Sequence, residues 1–268
     1  MRLPRASVFG LGLATVLLAC GGGGSSKPDG NVVIVDSPPE APPIDSPPDA
    51  PPLDFSCESD TPPTTAPAMV VASGQTQDLD LATQTLKALA NVDVKAFKIG
   101  VNKDTLLTST KSDMNGDWML SLNTTGVPLD GYLEASKTGQ RTVRLYPPNP
   151  LAIDLTSVPL LVLAESTFGI IVNFIGGTQE AGNGAVALAV LDCANQPISG
   201  ATISVTQGGT EVGNQHEIAQ LMAGAWFVFN VPPGDTIVGA TVQGHTLHAH
   251  TVKSIADGTT TTIVSPRP

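Results

Sequence analysis

Between Lys27 and Pro67 the chain carries twelve of its 23 prolines and eight acidic residues (Asp29, Asp36, Glu40, Asp45, Asp49, Asp54, Glu58, Asp60) against one basic residue, Lys27. No core can form from that composition, because apolar side chains are too sparse to offset the entropy of ordering the backbone. A nine-residue repeat lies inside it, Asp36-Ser-Pro-Pro-Glu-Ala-Pro-Pro-Ile44 followed by Asp45-Ser-Pro-Pro-Asp-Ala-Pro-Pro-Leu53. Proline pairs favour polyproline II at ~3.1 Å per residue and like charges resist compaction, so the segment reads as a semi-rigid stalk reaching on the order of 100 Å. Its acidity would hold its cargo off an anionic surface. The functional alternative is a proline-motif ligand for a partner domain. Whatever folds must come from about 200 residues after the stalk, enough for one large or two small domains.

Upstream, Arg2 and Arg5 precede an apolar, small-residue run from Ala6 to Ala19. Its length suits a signal-peptide core of roughly 7–15 residues and falls short of the ~20 that cross a bilayer as a helix. The run ends in Leu17-Leu18-Ala19-Cys20-Gly21, which resembles the lipobox of bacterial lipoproteins. That resemblance implies a signal peptide at 1–19, cleavage before Cys20, and a diacylglycerol with an amide-linked third chain on that cysteine. Stable anchoring takes more than one acyl chain. It also implies a bacterial cell-envelope location on a membrane through the lipid anchor, with Gly21 in place of a retention Asp favouring the outer membrane, on its periplasmic or its surface face. Gly21 to Ser26 then forms a flexible tether. The alternative is an ordinary signal peptide with an unrelated cysteine.

Without Arg2 and Arg5 the chain has 11 basic and 24 acidic residues, a formal balance of −13 if its amino terminus is acylated. No basic patch is available to neutralise phosphates, so nucleic acid is excluded as a partner.

The expected fold class is all-β: two tandem transthyretin- or immunoglobulin-like antiparallel β-sandwiches with one short connecting helix, preceded by the disordered stalk at 20–67. The first sandwich is placed at 68–164. Val92 to Lys98 alternates apolar and polar residues, and Thr105 to Thr110, Asp117 to Leu122, Tyr132 to Lys137 and Arg141 to Tyr146 follow as short runs bounded by Asn, Gly, Asp and Pro. Aromatic bulk is limited to Phe97, Trp118, Tyr132 and Tyr146, so the core is expected to be aliphatic. A helical connector is placed at 165–183. There Phe168, Ile171, Val172 and Ile175 fall on one helical face, with Ser166 or Thr167 as N-cap and Gly176-Gly177 as stop. At about ten residues it is too short for a membrane span and is expected to pack between the domains.

The second sandwich, 184–268, has the clearer pattern. Val186, Leu188 and Val190 alternate with alanines, and Ala201–Gln207, Trp226–Asn230, Thr236–Val242, Thr246–Val252 and Thr259–Val264 follow as strands. Val190-Leu-Asp192, Gln196-Pro-Ile-Ser-Gly-Ala-Thr-Ile203, Gly224-Ala-Trp-Phe-Val-Phe229 and Val231-Pro-Pro-Gly234 resemble the signature of carboxypeptidase regulatory-like domains. A partial copy stands in the first half, at Ala90-Asn-Val-Asp-Val94 and Ser112-Asp-Met-Asn-Gly-Asp-Trp-Met-Leu120, with Trp118 in the aromatic place and the Pro-Pro-Gly turn missing. The resemblance implies a transthyretin-like sandwich of seven or eight strands. In that family the module is an accessory to a zinc peptidase whose catalytic domain this chain lacks.

Candidate chemistry is sparse. His216-Glu217-Ile-Ala-Gln220 has the first half of a zinc-protease helix motif, but Gln220 stands where a second His must ligate. His248 and His250, two apart on an expected strand, project from one face with His245 just before them; they read either as imidazole metal ligands or as a solvated strand face. Asp113-x-Asn115-Gly116-Asp117 is part of a calcium-loop pattern without its late Glu, and reads better as an Asn-Gly turn. Cys57 and Cys193 remain as a pair once Cys20 is lipidated, and in an exported protein a disulfide is expected. It would close the ends of the first domain through the second and stabilise by roughly 4–5 kcal/mol in the chain-entropy model. The alternative leaves Cys57 free for an intermolecular bond. No catalytic constellation and no cofactor requirement emerges. The chain is expected to be a non-catalytic surface lipoprotein whose sandwiches bind or scaffold an envelope protein or polysaccharide; the alternative is a metal-binding lipoprotein using His245, His248 and His250, and a hydrolase stands third.

Overall fold

The computed structural model describes residues 52–83, 85–219 and 223–267. The signal-like run, Cys20, the repeat up to Pro51 and Gln220 lie outside the described residues. The first half runs β1 (Met69–Asp80), β2 (Thr85–Ala88), β3 (Asp93–Lys98), β4 (Thr105–Lys111), β5 (Asp117–Asn123), β6 (Gly131–Ser136), β7 (Val143–Tyr146) and β8 (Leu155–Leu161), then helix α1 (Glu165–Phe174). The second half runs β9 (Gly184–Val190), β10 (Thr202–Gln207), β11 (Thr210–Glu211), β12 (Asn214–Glu217), β13 (Ala225–Val231), β14 (Gly234–Val242), β15 (His245–Thr246), β16 (His250–Ser254) and β17 (Thr259–Val264). The protein is all-β with one short helix, as its punctuation predicts.

Period-two patterning explains the strands. On β5, Trp118, Leu120 and Leu122 are buried while Asp117, Met119 and Ser121 face out. On β10, Ile203 and Val205 are buried between exposed Thr202 and Ser204.

Three sheets result. The first outer sheet is built on β1, which pairs antiparallel with β5 and then β2 along one edge and parallel with β8 along the other. The second outer sheet has the order β11-β10-β14-β15, with β16 also on β14. The third is shared by both halves, in the order β12-β13-β9-β17-β7-β6-β3-β4. At its centre the last strand of the chain, β17, runs parallel to β7 on one side and β9 on the other. The halves are therefore fused through one sheet, where the sequence suggested two sandwiches in series.

Side-chain alternation shows how the layers stack. Leu133 and Ala135 of β6 and Val143 and Leu145 of β7 line the face turned to the first core, where Leu133, Ala135 and Leu145 meet Val70, Ala72, Val94, Trp118 and Leu160. Tyr132 and Tyr146, on the opposite face of the same strands, join the second core with Val186, Leu188, Val205, Val238 and Val264. The two outer sheets thus lie on opposite faces of the shared sheet, offset along it. Helix α1 sits where the halves meet: Phe168 and Val172 pack on Ala185 and Phe229 of the second half, and Leu79 and Leu161 of the first join the same cluster.

The helix starts two or three residues earlier than its expected Ser166 or Thr167 cap predicts. Ala164 occupies the N-cap and makes no side-chain cap bond, while Glu165 in the first turn favours the helix dipole and pairs with buried Arg141 at 2.9 Å. Its stop is the expected one. Gly176 adopts φ +71°, its N–H donates to Asn173 O (3.1 Å) and that of Gly177 to Val172 O (2.9 Å), a Schellman ending that requires a residue tolerant of positive φ.

Two further departures have local causes. The expected strand Thr246–Val252 is broken into β15 and β16, because Leu247, His248 and Ala249 oppose only Gly239 and Ala240 of β14, a bulge with one residue extra. Strands β1 and β8 have no counterpart among the strands expected from sequence: Ser73-Gly-Gln-Thr-Gln77 is polar, and β8 contains Pro159 and a Ser157 with φ 58°.

Strands β1 and β8 approach closely at Gly74, where a Cβ would stand 1.9 Å from the carbonyl oxygen of Val158. Gly74→Ala must part these strands and is expected to destabilise by roughly 1–3 kcal/mol or more. Gly169→Ala, inside α1 with nothing within 4 Å of the added carbon, is expected to stabilise by about 0.5–1 kcal/mol. Urea midpoints of the two variants, moving in opposite directions from the parent, check both.

Candidate functional site

Strand directions define two poles. Strands β9 and β17 both end at one pole, where Leu191 N–H bonds Val264 O at 3.0 Å and Asp192-Cys193 turns the chain. Asp192 is buried and organises this turn: its Oδ1 accepts the N–H groups of Ala194 (2.9 Å) and Gln196 (2.7 Å), and its Oδ2 accepts that of Asp54 (3.2 Å). The segment Leu53–Asp60, expected from its composition to belong to the disordered stalk of residues 20–67, is instead strapped onto this pole, because Leu53 and Phe55 have a core to pack on and Cys57 has a partner. Cys57 and Cys193 form a disulfide, with Cα atoms 5.6 Å apart and a sequence separation of 136. Cys193 N–H donates to Asp54 O at 2.9 Å, Leu53 and Phe55 pack on the second core, and Asp60 pairs with Arg267 at 3.3 Å.

The histidines divide among different tasks. His245 belongs to the strap: its ring stacks on Phe55 at 3.9 Å with 4° between planes, and Nδ1 lies 2.7 Å from Glu58 Oε1. His248 is exposed and its backbone N–H donates to Ser265 O. His250 turns inward, and its Nε2 lies 2.7 Å from Thr262 Oγ1. Because that hydroxyl gives its one proton to Tyr146 O at 3.0 Å, Nε2 must be the donor to Thr262. Burial, with nearby His248 as a second cause, pushes His250 down to about 4. His248 and His250 thus do not share a solvent face, the bulge having separated them. His216 and Glu217 lie on strand β12 instead of a helix. Among the described residues no three His, Cys, Asp or Glu side chains are grouped to hold a metal ion. Asp113 forms a turn, its Oδ1 accepting the N–H groups of Asn115 and Asp117.

A second cluster, which sequence reasoning missed, joins the halves beside the second core. Phe97, Tyr132 and Tyr146 stack in series, with centroids 5.1 and 4.8 Å apart. Arg144 lies 4.9 Å over the Tyr132 ring and pairs with its cross-strand neighbour Glu134 at 2.9 Å. Asp104, in the β3–β4 loop, accepts from Tyr132 OH (3.1 Å) and from Lys253 of β16 (3.2 Å). Burial alone would raise the Asp104 carboxyl, but donors from Gly100, Lys253 and Tyr132 outweigh it and hold it below the usual range. Burial, with the Asp104 charge adding to it, pushes the Tyr132 phenol up to about 12. The cluster ties a first-half loop to a second-half strand. Only the sequence proximity of Tyr132, Glu134, Arg144 and Tyr146 on alternate positions could have signalled it.

At the opposite pole three loops are knitted together. Asn230 Oδ1 accepts Glu180 N–H (2.6 Å) and its Nδ2 donates to Thr178 O (2.9 Å). Gln179 Nε2 donates to Asn183 O (3.0 Å), and Asp257 Oδ1 accepts Gly182 N–H (2.8 Å). Arg141 stiffens the base from below, donating to Gly258 O at 3.1 Å with its guanidinium 3.9 Å over Phe168. Asn230 and Asp257 hold positive φ (57° and 52°), strain tolerated because the surrounding bonds fix it. The result is a rigid, polar loop surface. The apolar hollow between the sheets of the first sandwich, lined by Ala72, Phe97, Leu122, Leu129 and Leu155, has about 20 Å³ of space, room for a water and far below a ligand cavity of roughly 300–1,000 Å³. No helix among the described residues is long and apolar enough to cross a membrane.

No protein-family model matches the sequence, and no curated protein matches it. Solved structures with some likeness include the Bacillus anthracis TIE protein (13% identity, TM-score 0.26), aligned over 73% of this chain and 34% of that one. They also include the shaft pilin SpaA of Lactobacillus rhamnosus GG (11%, TM-score 0.24, 76% and 99%) and a streptococcal ancillary pilin (11%, TM-score 0.24, 75% and 63%). This chain thus spans about a third of the length of the TIE protein. At such scores these likenesses carry no inference about function, which rests on the geometry.

Two outcomes follow. Replacing both Cys57 and Cys193 with Ser should lower stability by roughly 2–5 kcal/mol, read as a shift in urea midpoint. His250 is held neutral in the fold, with a pKa about 4 against 6.5 when unfolded. The unfolded state therefore takes up its proton first as pH falls, and stability drops between pH 6.5 and 4 by on the order of 1–3 kcal/mol from this group, then levels. A His250→Gln variant should lose less stability over that interval in denaturation curves at pH 7 and 4; equal losses would remove His250 as the cause.

Proposed function

We propose that this protein is a membrane-tethered, non-catalytic binding module of a bacterial envelope. Lipid on Cys20 anchors it to the outer membrane, residues 20–52 form the stalk, and the fused sandwiches present the loops Thr178–Asn183, Asn230–Gly234 and Ile255–Gly258 to an envelope protein or polysaccharide. The observation that carries this reading is the strap. By fixing residues 53–60 at the Cys57–Cys193 pole, it leaves the polar loops of the opposite pole clear of the point where the chain enters the fold. The resemblance of Gly224–Phe229 and Val231–Gly234 to regulatory-like accessory modules supports a binding role over a catalytic one. A protein partner fits better than a glycan, since aromatic residues for sugar stacking make up 4% of the chain.

Two measurements test it. Cells fed a labelled fatty acid should label the parent protein and leave Cys20→Ser unlabelled; label persisting on the variant would overturn the anchor. Envelope material retained by the mature chain should fall about tenfold or more, equivalent to ~1.4 kcal/mol, for Glu180→Lys with Asp235→Lys. Gln196→Lys, at the strapped pole, should leave retention unchanged. Equal retention by all three proteins would reject the far loops as the binding surface.

A further inference from the structure

The disulfide has a topological effect separate from stability. It closes a loop from Cys57 to Cys193 that contains β1 to β9 and α1, while β10 to β17 lie outside it. Tension arriving along the chain from residue 53 therefore meets a covalent branch at Cys57. One route runs through the whole first half before it reaches Cys193. The other crosses a single bond and enters the second half at once. A covalent shortcut takes the load, because the longer path cannot extend while its two ends are held 5.6 Å apart.

We infer that the Cys57–Cys193 bridge is a load bypass, which transmits tension between the stalk and the second half and leaves the first half slack. The inference rests on the proposed reading of residues 20–52 as a tether. The neighbouring contacts suit the role. Phe55 on His245, Asp54 on Asp192 and Asp60 on Arg267 seat the strap on the second half on both sides of the bridged cysteine, so a pull is aligned with the bond before it loads it. The loops assigned to recognition include two of second-half origin, 230–234 and 255–258, which stand directly in this load path. The first half, joined to β17 through β7, is then a passive buttress of the sheet that bears the partner.

The mature full-length chain, pulled in single-molecule force spectroscopy from its two ends, gives the test. The bridged protein should release less chain on complete unfolding than the same protein in reductant. The shortfall should be on the order of 490 Å, from a separation of 136 residues at ~3.6 Å each. Cys57→Ser with Cys193→Ser should give the longer extension without reductant. Equal extension in both redox states would overturn the bypass. This length does not depend on lipidation, so a failed fatty-acid label would refute the anchor and leave the bypass standing.

Discussion

The placement of β17 at the centre of the shared sheet is the constraint on which the two cores depend. Its four threonines give it the branched shape that suits a buried strand, and three of them satisfy nearby carbonyls with their hydroxyls: Thr260 donates to Lys253 O, Thr261 to Arg144 O and Thr262 to Tyr146 O. The last two bonds span 117 and 116 residues of sequence. Without this strand β7 and β9 have no common neighbour, and the face carrying Tyr132 and Tyr146 loses the wall that completes the second core. Such non-local pairing makes the fold slow to assemble, since long loops must close, at an entropic cost, before the strands can pair.

Much of the second half was legible because its strands alternate cleanly. Val186, Leu188 and Val190 against alanines, and Ile203 and Val205 against Thr202 and Ser204, each declare one buried face. The helix was legible from the spacing of Phe168, Ile171, Val172 and Ile175, and its end from Gly176. Strand β1 was not. Its buried Thr76 uses a hydroxyl, bonded to Leu89 O, at the point where the strand exchanges β5 for β2, and a polar residue doing that looks like loop. The sharing of one sheet was also hidden, because pairing between β17 and β7 leaves no trace in either segment alone. The disulfide partners could be read by counting cysteines. What the histidines do could not, since a single extra residue at Leu247–Ala249 turned His250 inward and left His248 outside.

The molecule thus separates its tasks by position. One pole holds the strap, through Cys57–Cys193, the Phe55–His245 stack and the buried Asp192 that shapes the receiving turn. The middle is given to rigidity, through the aromatic series from Phe97 to Tyr146 and the Asp104–Lys253 tie. The far pole holds loops whose shape is fixed by their own hydrogen bonds.

The pairing of Asp60 with Arg267 places the strap and the segment after β17 side by side at one corner. A module joined to its surroundings at a single corner behaves like a bead on a clasp. It can be spliced into a surface loop of a host domain without prising apart the residues on either side, as domains with neighbouring termini allow. Copies joined head to tail would not make a straight rod; each would hang as a branch from a common spine, with its far loops turned outward.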